Sequence, residues 1–121
     1  MSNFEIEYTS KVTFSQQQLL DILTIAVEGG ITYWAIMRKV CRDEKLNVLS
    51  FQCADNEDDG EQLWLTVTVD TIISGIKTLL SMHELKYSIV GKELIKNDPD
   101  LDAADVDTIV QFGLFGKLVY C

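Results

Sequence analysis

From residue 4 to residue 14 the even positions are Phe4, Ile6, Tyr8, Ser10, Val12 and Phe14, and the odd ones between them are polar. A period of two predicts a strand with one face in water. Ser15 followed three residues later by Gln18 has the form of a capping box. Leu19, Ile22, Leu23, Ala26 and Val27 then recur at helical spacing until Gly29 and Gly30 stop the helix. Residues 31–40 are rich in β-branched and aromatic types, including Tyr33 and Trp34, and Asp43-Glu44-Lys45 turns the chain into residues 46–53, so a hairpin is expected.

After an acidic loop over residues 55–61, Leu63, Leu65, Val67 and Val69 alternate with polar positions and Trp64, which predicts another strand. Asp70 is placed to cap a helix whose stripe is Ile72, Ile73, Ile76, Leu79, Leu80 and His83. Leu85, Ile89, Val90, Leu94 and Ile95 suit a further helix that Asn97-Asp98-Pro99 breaks. Asp102 then caps a last helix through Val106, Ile109, Val110 and Phe112, extending into Leu114 and Phe115. The expected fold class is α+β, an antiparallel sheet of three or four strands packed with three or four helices. With no repeat or linker, residues 1–121 are expected to form a single compact domain.

The 121 residues are too few for two separate cores, and 47% hydrophobic with 24% charged residues is the balance of a folding domain. Ten Lys and Arg against nineteen Asp and Glu leave a net charge of −9. That argues against direct binding of nucleic acid or anionic lipid and in favour of a basic partner. The acidity is local: residues 55–61 and 98–107 hold ten of the nineteen acids, and the rest of the chain sums to about neutral. Cys41, Cys53 and Cys121 make no CxxC pair, which fits a reducing, cytoplasmic setting. The first residues carry acid where a secretory signal carries base, and no apolar run approaches the roughly 20 residues of a membrane span, so neither is expected.

Asp55-x-Glu57-x-Asp59-Gly60 resembles the start of a calcium loop, but its twelfth position is Thr66 where an EF-hand needs a bidentate Glu. His83 is the sole histidine and lies on an apolar stripe, and no phosphate-binding glycine motif or nucleophile elbow is present. No catalytic residue, metal or cofactor is therefore expected, and the chain is read as a non-enzyme. Gly113 and Gly116 read as close packing or chain reversal. Arg38, Lys39, Arg42 and Lys45 form the one basic cluster.

Three segments carry a resemblance: Glu28-Gly29-Gly30-Ile31-Thr32-Tyr33-Trp34, residues 65–76 from Leu65 through Asp70 to Gly75, and Ala104-Asp105-Val106 leading to residues 111–120. They resemble a family of small tailed-phage and prophage proteins of unassigned function, with EGGxxYW and LFGxxVYG-like segments. The chain departs from that pattern at Cys121, where the pattern has Gly. The resemblance implies a mobile-element origin and action in the host cytoplasm, where small phage proteins commonly inhibit host defence. The functional expectation is an inhibitor that binds a host defence protein, for example a CRISPR effector, as an acidic nucleic-acid mimic. The expected contact residues are Glu57, Asp58, Asp59, Glu61, Asp98, Asp100, Tyr33 and Trp34. Two alternatives are a nucleotide-signal sponge using Tyr33, Trp34, Arg38 and Arg42, and a phage structural or assembly protein; self-association is left open.

Overall fold

A computed structural model describes residues 3–7, 11–56, 62–82, 93–94 and 99–120. The alternating N-terminal segment is two strands, β1 (Asn3–Glu7) and β2 (Lys11–Ser15), paired antiparallel with Phe4 opposite Phe14 and Ile6 opposite Val12. A single strand was the expectation. The register sets even positions opposite even ones, so Phe4, Ile6, Val12 and Phe14 share one face as expected, and Ile6 and Phe14 are buried.

Helix α1 (Gln16–Ile25) starts at the expected capping box: Gln18 N donates to Ser15 Oγ at 3.1 Å, and Ser15 N to Gln18 Oε1 at 2.8 Å. The helix widens into a π turn, Ala26–Gly30, before the chain leaves it. The hairpin follows as β3 (Ala35–Arg42) and β4 (Val48–Asp55), with β5 (Leu65–Val67) on the other side of β4. Among the described residues the strands form two antiparallel sheets, β1-β2 and the three-stranded β3-β4-β5, and with the helices they make the expected α+β fold. At its turn Asp43 Oδ1 accepts from the amides of Lys45 and Asn47, and Leu46 takes a positive φ of 63°. A bulge at Lys39, φ 53°, shifts the β3 register between Arg38 and Cys41.

Helix α2 (Val69–Ser81) begins two residues earlier than a cap at Asp70 would place it. Thr68 is the N-cap, accepting from Asp70 N and paired reciprocally with Thr71. Val69 is therefore helical and not the end of the preceding strand. Helix α3 (Ala103–Phe115) is capped as expected by Asp102, whose Oδ1 accepts from Asp105 N at 2.9 Å, and it ends at Gly116 in the left-handed conformation, φ 72°. The expected helix over 85–95 and His83 lie outside the described residues, apart from Glu93 and Leu94.

Among the described residues, buried side chains from both sheets and from α1, α2 and α3 join in one cluster, including Phe14, Leu23, Trp34, Phe51, Ile76, Ile109 and Phe112. Helices α2 and α3 cross almost in backbone contact: a Cβ on Gly75 would stand 2.1 Å from Ile109 O, and one on Gly113 2.2 Å from Thr71 O. The close-packing expectation for Gly113 is met. Across the larger sheet, the row Arg38, Gln52, Thr66 faces away from this core. There Arg38 donates through Nε to Gln52 Oε1 at 2.8 Å and lies 4.0 Å from the centre of the Trp64 ring.

Candidate functional site

Tyr33 and Trp34 are not strand residues. They lie in a turn closed by the amides of Trp34 and Ala35 donating to Ile31 O, at 3.2 and 3.0 Å. Asn56, just beyond β4, holds the turn from outside: its N donates to Trp34 O at 2.9 Å and its Nδ2 to Tyr33 O at 3.1 Å. Helix α3 holds it from inside. Asp107 and Gln111, one helical turn apart, are both buried. Asp107 accepts from the Tyr33 hydroxyl at 2.6 Å, from Trp34 Nε1 at 2.9 Å and from Gln111 Nε2 at 3.0 Å.

Gln111 also binds the segment after α3. Its Oε1 accepts from the amides of Val119 and Tyr120 at 2.8 and 2.9 Å, and its Nε2 donates to Tyr120 O at 3.1 Å. Tyr120 is thereby laid over Trp34, ring centres 4.3 Å apart and planes 5° from parallel, with Phe115 inclined to both rings. The Tyr120 hydroxyl donates to Asp55 Oδ2 at 2.8 Å, joining the last described segment to the end of β4. This clasp has the full hydrogen bonding a buried polar network needs, and among the described residues no buried side-chain N or O lacks a partner.

The two aromatic residues therefore part company. Tyr33 keeps 49% of its surface exposed while its hydroxyl is bonded to Asp107. Trp34 is 4% exposed, covered by Tyr120 and bonded to Asp107, so its expected part as a surface anchor is corrected to a core one. Nor are Tyr33, Trp34, Arg38 and Arg42 brought together. Arg38 lies on the open sheet face, and Arg42 ends β3, seven residues and roughly 20 Å of strand from its start at Ala35. Arg42 Nη1 donates to Leu46 O at 2.7 Å and lies 4.0 Å from Glu28.

Of the expected acidic contacts, Glu57, Asp58, Asp59, Glu61 and Asp98 lie outside the described residues, and Asp100 is exposed. The placement of their neighbours is informative. The stretch 57–61 follows directly on Asn56, which is bonded to the turn. The other acidic stretch enters α3, whose first residues pack on Gly30: a Cβ there would lie 3.4 Å from Ala103 O and 3.5 Å from Val106 Cγ1. Asn56 is thus bonded to the turn that presents Tyr33, and the start of α3 packs on Gly30, just before that turn. Around the α3 cap the carboxylates crowd. Burial raises the Asp105 carboxyl above its ordinary range; the Asp102 amide opposes this, and the charges of Asp102 and Glu93 add to the rise.

Asp107, Gln111 and Asn56 were missed by the sequence reading. A polar pair at i and i+4 within the apolar run 106–112 was the available signal for the first two; nothing local marks Asn56. Among the described residues no three His, Cys, Asp or Glu side chains are grouped to hold a metal ion, and no helix is long and apolar enough to cross a membrane. No family model, curated protein or solved structure matches this chain.

Proposed function

We propose that the chain is a phage-encoded, non-enzymatic inhibitor that docks on a basic, nucleic-acid-binding surface of a host defence protein in the host cytoplasm. The observation that supports this reading is that Asn56, which precedes the acidic residues 57–61 in sequence, and the start of α3, which follows the acidic residues 98–102, both pack at or beside the turn that carries the half-exposed Tyr33. Acids spaced two or three residues apart imitate the phosphate ladder of a duplex, which carries one negative charge per roughly 1.7 Å of axis. Opposite charge speeds association and makes it sensitive to salt, while a single exposed aromatic ring supplies an anchor that desolvates on contact. The resemblance to phage proteins supports the choice of host.

Pull-down from host lysate at low and moderate salt tests the reading. A specific basic protein retained at low salt and weakened at moderate salt is the expected result; no specific partner under either condition overturns it.

A further inference from the structure

Four of the chain's ten basic residues, Arg38, Lys39, Arg42 and Lys45, fall within the eight positions 38–45, against two acids, Asp43 and Glu44. Three of the four lie on β3, which among the described strands is an edge of its sheet, and Lys45 is in the turn that follows. A strand lying on a core alternates between buried and exposed positions, but every residue from Arg38 to Arg42 is exposed, with the bulge at Lys39 among them. Cations and a bulge are ordinary guards of a sheet edge. They do not account for Val40, Leu46 and Leu49, which are exposed beside them, Leu46 by 70%. The opposite combination surrounds α3. At its start Asp100 and Asp102 are exposed and Asp105 is half-buried, and Val119, tied to the same helix through Gln111, is an exposed apolar side chain. We infer that the basic β3 edge of one copy of this chain docks on the acidic start of α3 of a second copy, and the converse, in a reciprocal dimer. The inference goes beyond the inhibitor reading and does not rest on it.

The charges select the occupant. Among the described residues none of Arg38, Lys39, Lys45, Asp100, Asp102 and Asp105 is in an ion pair, and Arg42 reaches Glu28 only at 4.0 Å. One copy therefore leaves both sets of charge unmatched, and a second copy brings the complement of each. Nucleic acid also offers anionic groups to a basic edge, but a net charge of −9 repels a polyanion as a whole. Opposite charge draws the two surfaces together and fixes their register, and the apolar side chains beside the charges supply area that leaves water on contact. A two-fold arrangement forms the same contact twice and closes, which is the commonest symmetry of soluble oligomers.

The test uses the purified chain alone. Sedimentation velocity across a wide range of concentration should show a dimer at low salt whose dissociation constant rises at least tenfold at high salt. Two double variants reverse one surface each: Lys39→Glu with Lys45→Glu on the edge, and Asp100→Lys with Ala104→Lys at the start of α3. All four positions are exposed, and neither pair touches the helix-cap carboxylates of Asp102 and Asp105. Each variant alone should be monomeric with a melting curve close to the parent's. Mixed one to one they should dimerise again, because each reversed edge then faces a reversed helix start and each unchanged edge an unchanged one. Should a reversed variant melt early, the milder Lys39→Gln with Lys45→Gln replaces it and should weaken the dimer at least tenfold. A parent that stays monomeric at low salt overturns the inference, as does association that grows beyond two copies. Association indifferent to salt or to both variants, or no recovery on mixing two well-folded variants, overturns it equally.

Discussion

Gln111 uses both ends of its amide inside the fold, and that dual use makes it the residue on which the clasp depends. Gln111→Leu preserves bulk but strands the amides of Val119 and Tyr120 and removes a donor from Asp107. With about 1–3 kcal/mol for each buried group left unsatisfied, a loss of about 3 kcal/mol is expected in denaturant melts, accompanied by faster amide exchange at Tyr120. Asp105 gives a second expectation. Its folded-state pKa is raised, so the native state holds the proton more tightly than the unfolded chain does. Its contribution to stability is complete below the ordinary carboxylate pKa of about 4 and is lost as pH rises through the raised value. Asp105→Asn keeps an oxygen to accept from Asp102 N. It should therefore melt above the parent at neutral pH, by a margin that closes as pH falls toward about 4; a constant margin across melts at several pH values would count against this. Cys53 stands apart chemically: burial pushes its thiol up to about 11, so it reacts poorly while the fold is intact.

At the scale of elements, the α2–α3 crossing rests on two glycines facing backbone. Gly75→Ala or Gly113→Ala must push one helix off the other by more than an ordinary side-chain adjustment can absorb. Each should cost about 3 kcal/mol or prevent folding, read by thermal or denaturant melts. Gly116→Ala meets open space and is opposed only by its left-handed backbone, so its cost should be about 1 kcal/mol. Local pattern made several elements legible. Ser15 with Gln18 and Asp102 with Asp105 announced two helix starts, and Asp43 announced the β3–β4 turn, because each acts on backbone groups within four residues of itself. Where the expectations missed, the deciding partner was either ambiguous or remote. Thr68 and Asp70 are both good caps two residues apart, and the spacing of Ile72 and Ile76 does not choose between them. Tyr33 and Trp34 have strand propensity, but Asn56, Asp107 and Tyr120 hold them in a turn from positions 22 to 87 residues away. Of the candidate site, the exposed Tyr33 was legible and the burial of Trp34 was not.

For the molecule as a whole, the two acidic stretches differ in what the fold asks of them. Asp102 caps a helix, and its loss would cost about 0.5–2 kcal/mol, confusing folding with binding. The segment 57–61 joins β4 to β5 and offers a cleaner experiment. Glu57→Gln, Asp58→Asn, Asp59→Asn and Glu61→Gln together should leave the melting curve nearly unchanged, since charges in an acidic loop sequence generally contribute little to stability. On the proposed inhibitor reading, capture of a host protein should fall at least tenfold and lose most of its salt dependence. Unchanged capture by the well-folded variant removes this segment from the interface and moves attention to Tyr33.

The clasp also imposes a schedule on synthesis. Trp34 is bonded to Asp107, 73 residues further along the chain. At about 5–20 residues per second, roughly 4–15 s of translation separate the two. Through that interval the indole has neither the carboxylate that receives its N–H nor the ring that covers it. The β3–β4 hairpin, made of neighbours in sequence, is free to pair and to meet α1 during this time, through bonds such as Val48 N to Thr24 Oγ1, but the junction of its entry turn with α3 is not. The core around Trp34 is therefore completed only after residue 120 has been added, and a message cut short of that codon yields a chain in which the Trp34 ring is never covered.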